Sequence, residues 1–143
     1  MAGALTTPTR TSKDIGGVRN AEVHISLACL SDDTNGLVPN QTLTGLGDHV
    51  LKDVSPVPDA TAPFTAAYEV KIVDENGATI FLSGSIAVDS KAPIGGEATL
   101  GWYPRMGSSA TFSLVDPSDH TSTINVGNEK EVVLNFLFEK KWS

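Results

Sequence analysis

The chain holds three histidines, the side chains best suited to move protons or bind metals near neutral pH: His24, His49 and His120. No two lie within four residues of each other, so no paired zinc motif of helical spacing exists. His49 and His120 each follow an aspartate, Asp48 and Asp119. A carboxylate can orient an imidazole for acid–base work. Neighbouring residues on a strand point to opposite faces, however, so both pairs read as exposed turn residues. The run Asp32-Asp33-Thr34-Asn35-Gly36 resembles a calcium loop in composition only. It lacks the alternate acidic spacing and the closing glutamate, and an Asx-type turn accounts for it. No nucleophile elbow, phosphate loop or dinucleotide fingerprint occurs. Glu69, Asp74, Glu75 and Asp89 fall on strand faces and in turns, which gives no carboxylate pair for glycoside hydrolysis. The expectation is a chain with no catalytic, cofactor-binding or metal-binding residues, and not an enzyme. Two aromatic positions remain. Trp102 and Tyr103 are adjacent, so on a strand one ring faces the core and the other faces out, free to anchor an interface or stack on a sugar. Trp142 is a further candidate anchor.

The elements that would carry these residues are strands. Residues 20–30 alternate, with Val23, Ile25, Leu27 and Cys29 on one face and His24, Ser26 and Ala28 on the other. Residues 67–73 put Tyr68, Val70 and Ile72 against Glu69 and Lys71. Asn76-Gly77 then supplies the residues a tight hairpin needs, and the return strand follows from residue 78. Residues 49–54, 98–104, 109–117 and 121–126 read as further strands, and 55–64, with three prolines, as an extended connection. The most apolar strand is 131–142, where Val132, Leu134, Phe136 and Phe138 share a face; it is expected at the centre of the core. Residues 1–19 show no periodicity and carry Arg10, Lys13 and Arg19, which reads as an extended arm held by a neighbouring chain. No ten-residue stretch has helical periodicity. The expectation is an all-β chain: an arm over 1–19 and one β-sandwich of about eight strands over 20–143, jelly-roll-like.

Composition limits the partners. The chain has 143 residues, enough for one domain with a real core. Its net charge of −7 repels nucleic acid and anionic membranes, so neither is expected as a partner. No apolar run is long enough to span a bilayer, and the first residues lack the apolar segment of a signal peptide. The single cysteine, Cys29, sits in an apolar run and reads as a buried thiol.

From residue 67 onward the chain resembles a loose class of small virion proteins of tailed bacteriophages. The likeness rests on residues 68–77 (YEVKIVDENG), on Ser83-Gly84-Ser85, on the Thr- and Leu-bearing strand 110–115, and on Val132–Phe136 (VVLNF). It covers about half the chain; residues 1–60 have no counterpart, and GEATLGWYPRMGSS replaces a compact loop. The resemblance implies a non-enzymatic virion protein made in the host cytoplasm without a leader. It implies a capsid decoration or cement protein bound to the major capsid protein or other virion proteins, as a homo-oligomer with a trimer favoured. A neck, tail or baseplate piece is the alternative within that class, and a glycan- or receptor-binding module the alternative outside it. Under the first reading the expected contact residues are Arg10, Lys13, Arg19, Trp102, Tyr103, Arg105 and Trp142.

Overall fold

Alternation builds the longest strand: Val23, Ile25, Leu27 and Cys29 are buried, and the residues between them are not. The computed structural model describes residues 4–5, 9–97, 101 and 105–140. Among these there are ten strands and no helix. They are β1 (Ala4–Leu5), β2 (Thr9–Ile15), β3 (Val18–Leu30), β4 (Gln41–Thr44) and β5 (His49–Pro58), then β6 (Glu69–Asp74), β7 (Thr79–Leu82), β8 (Ile94–Gly95), β9 (Ser109–Val115) and β10 (Glu131–Lys140). The fold is thus all-β, with ten strands where about eight were expected.

The strands form two antiparallel sheets. The larger has the order β1-β3-β10-β5-β8, with β2 also paired to β3; the smaller has the order β4-β9-β6-β7. Four of the pairs are nested in sequence: β6 with β7, β5 with β8, β4 with β9 and β3 with β10. β10 lies between β3 and β5, as its apolar face predicts. Val132, Leu134, Phe136 and Phe138 all point into the core from it. The two sheets meet there: the Phe136 ring stands edge-on to Phe112 of β9 with centroids 5.8 Å apart, and stacks on Phe138. One continuous cluster of buried side chains joins both sheets, a β-sandwich-like arrangement.

Three elements differ from the sequence reading. Residues 55–58, read as a connection, continue β5, and Pro56 and Pro58 lie opposite Leu134 and Val132. Proline is tolerated because both share one parity and the far edge of β5 is paired only ahead of them, at Val50, Asp53 and Val54. β7 stops at Leu82, and Ile86 returns only as an isolated bridge to Tyr68. Residues 9–15, within the stretch read as an arm, form β2. It turns back onto β3 through Gly16 and Gly17, both at positive φ (56° and 81°), the geometry of a two-residue hairpin loop. All seven residues of β2 are exposed. Most of 98–104 lies outside the described residues, and Thr123 bridges Val115 without forming a strand.

Candidate functional site

The most deeply buried polar residue described has a partner that was not visible in the sequence. Glu69 opens β6, and its residue is fully buried. Register places it with Val115 on the side of the smaller sheet that faces away from the core. The segment 116–123 covers that side. One carboxylate oxygen, Oε1, lies 2.5 Å from Nδ1 of His120; the other, Oε2, accepts the Gly84 N–H at 2.9 Å. Two residues along β6, Lys71 donates from Nζ to the His120 carbonyl at 3.0 Å.

Local chemistry shapes the covering segment. The Asp116 carboxylate accepts from the Ser118 N–H and hydroxyl, and its carbonyl accepts the His120 N–H. Asp119 accepts from the Ser122 hydroxyl and from the Thr121 and Ser122 N–H groups. These donors, the Ser122 hydroxyl foremost and the nearby His120 least, lower the Asp119 carboxyl from 3.8 to about 2. Between the two turns His120 has φ of 61°, a left-handed conformation that histidine tolerates better than most residues. Gly84, at φ 77°, brings its N–H to Glu69. The Ser83 hydroxyl accepts the Val70 N–H and donates to the Gly84 carbonyl. Glu69, Ser83 and Gly84, all within the motifs that carry the phage resemblance, are therefore braces between β6 and the segment after β7.

A buried carboxylate on Nδ1 orients the imidazole, and the half-exposed side chain offers it to solvent. That is an oriented proton acceptor or a single metal ligand. Among the described residues no group of three His, Cys, Asp or Glu side chains could hold a metal. A groove of about 300 Å³ lies on the outer side of the larger sheet, away from His120, between Thr11, His24, Asp53, Asn135 and Leu137. The arrangement around His120 is a clasp fastening a loop to a sheet.

The other sequence candidates fall as follows. His120 is oriented by Glu69, 51 residues away, rather than by Asp119. His49 is buried at the start of β5 instead of lying in an exposed turn. In the Asp32 run the carboxylate accepts the Thr34 N–H and hydroxyl, an Asx turn. Cys29 is fully buried; desolvation, with the Glu131 charge adding to it, raises its thiol far above the ordinary range. Arg10 donates to the carbonyls of Thr44 and Gly45 at 2.9 and 3.0 Å, tying β2 to the end of β4 in the opposite sheet. Lys13 lies opposite Glu22, and the Arg19 carbonyl accepts from Lys140. Arg105 bridges Val50 at the start of β5, which pairs with the same end of β10. The structure therefore places Lys13, Arg19, Arg105 and Lys140 along one end of the larger sheet, interleaved with Glu22 and Glu139, and leaves Arg10 apart. Trp102, Tyr103 and Trp142 lie outside the described residues. The two-glycine hairpin loop was the available signal for β2; the Glu69–His120 pair has none in a single sequence. Comparison with protein-family models and with curated proteins finds no match to this chain.

Proposed function

We propose that this chain is a non-enzymatic structural protein of a tailed-phage particle, a decoration or cement protein that binds an assembled shell. The sequence resemblance supports the class, and the order of strands supports a jelly roll. From β3 to β10 there are eight strands, and their four nested pairs describe one long antiparallel ribbon folded over on itself. Viral coat proteins use that architecture, as do lectins, so fold alone is an analogy and does not choose between them.

The observation that carries the proposal is β2. It lies outside the eight-strand ribbon and buries no side chain, yet it is a regular strand with Arg10 and Lys13 on it. An exposed edge strand that adds nothing to the core is a ready template for contact with another molecule. Lys13 on β2, with Arg19, Lys140 and Arg105 along the same end of the larger sheet, presents cations among Glu22 and Glu139 in a chain of net charge −7. Acidic groups on a shell would be oriented by that end, with affinity multiplied by repetition over the lattice. The test is whether the purified chain co-sediments with genome-free shells of the phage that encodes it and raises their disruption temperature. Reversing Lys13 and Arg19 to Glu should abolish both effects. Undiminished binding by that variant removes the charged end from the mechanism. A few copies per particle, counted by gel densitometry, would move the protein to the neck or tail.

A further inference from the structure

We infer that the free edge of β2 pairs with the same edge of a second copy, antiparallel, about a two-fold axis through Ser12. One edge of β2 is bonded to β3 from Thr9 to Ile15. No described strand pairs with the other edge, and every residue of β2 is exposed, so nothing described in this chain covers it. Such an edge is a template for another strand. Charges on an edge usually repel a second copy, and here the register decides the sign. With Ser12 on the axis, Arg10 lies opposite Asp14 of the second copy, and Asp14 opposite its Arg10. Lys13 lies opposite Thr11, and Ile15 opposite Thr9. This is the one antiparallel register that overlaps all seven residues, and it carries two opposite-charge pairs and no like pair. Moving one residue in one direction sets Arg10 against Lys13, and moving two in the other sets Lys13 against Lys13. Arg10 uses two of its five N–H donors on Thr44 and Gly45, which leaves donors for the second copy.

The pairing would join the two larger sheets edge to edge. It is a closed, isologous contact, unlike the three-fold ring that the phage resemblance implies. Edge pairing buries little area, so the dimer is weak in dilute solution and gains from high local concentration. The inference rests on strand geometry and charge, and holds whether or not the chain belongs to a phage particle.

A cysteine trap tests it. Cys29 is buried, so the thiol introduced by Ser12→Cys is the one available for cross-linking. Residues facing each other across antiparallel strands have Cα atoms roughly 4.5–5.5 Å apart, within disulfide range. Under mild oxidation S12C should form a disulfide dimer at least roughly tenfold faster than S85C, whose residue is exposed away from β2. Equal rates would overturn the inference. Charge reversal tests the register. R10E alone and D14R alone should each dimerise roughly tenfold more weakly by sedimentation, because each sets like charges opposite. Mixed together they should pair with one another, since both contacts become attractive. A mixture that associates no better than either variant alone would sink the register.

Discussion

Replacing His120 with alanine leaves the Glu69 carboxylate, among the described residues, with the backbone N–H of Gly84. Glu69 is fully buried in the fold, so the carboxylate must take its replacement partner from water admitted through the gap His120 leaves. A hydrogen bond to a charged group contributes roughly 1.5–3 kcal/mol. The His120 side chain is half exposed, which places the loss at the low end of that range. Alanine must also hold φ at 61° without the tolerance histidine has there. The expected cost of H120A is about 2 kcal/mol. Unfolding entropy of roughly 2.1 cal/mol/K per residue makes that about 7 °C in Tm for a chain of this length. H120G loses the same bond but relieves the backbone, so its cost should be about 1 kcal/mol smaller. Urea unfolding of the wild type, H120A, H120G, E69Q and the E69Q/H120A double variant measures the terms. The double variant should lose at least roughly 1 kcal/mol less than the two singles combined. Strict additivity, with each single change under about 0.5 kcal/mol, would refute the reasoning: the pair would then be a contact without coupling.

Other outcomes follow from the same geometry. Asp119 has its pKa depressed in the fold, so the stability it contributes is complete above the ordinary value of 3.8 and is lost as pH falls from there towards 2; D119N should flatten the urea-midpoint profile over that interval. Phe136→Ala, at the contact between the sheets, should cost about 3–5 kcal/mol, read by calorimetry. Gly36 has φ of 67°, and a Cβ there would collide with the Asn125 side-chain oxygen; G36A should lose about 1–3 kcal/mol, and N125A should recover part of it. Cys29 should resist thiol reagents in the native protein and react at the rate of global unfolding, followed by absorbance.

The parts of the fold legible in the sequence are those where one segment states its own environment. The hairpin at Asn76-Gly77 is such a case: Gly77 has φ of 82°, and the Asp74 carboxylate accepts the Asn76 and Ala78 N–H groups. So is β10, whose alternate apolar residues need burial on one face wherever the strand goes. β2 was not legible from periodicity, because an exposed strand has no inward face to be apolar. Its strand character comes from pairing with β3. Glu69 alternates as a polar-face residue, and that face is outward as expected. It is buried because a loop from β9 onward lies across it, a long-range fact that local pattern does not encode. Pro56 and Pro58 misled for a related reason: their cost depends on which edge of β5 is occupied.

The nested ribbon has a consequence for how the chain reaches its native state. Its four pairings close over widening separations: Ile72 with Phe81, Val54 with Ile94, Leu43 with Ala110, and Leu27 with Leu134. Each closure shortens the loop that the next must span and so lowers the entropy cost of closing it. The route of least cost starts at the β6–β7 turn and ends when β10 enters between β3 and β5. Disrupting Asn76-Gly77 should then slow folding, whereas weakening β3–β10 contacts should mainly quicken unfolding. Until β10 arrives, β3 and β5 each expose an apolar strand edge, the most aggregation-prone interval in the life of the chain.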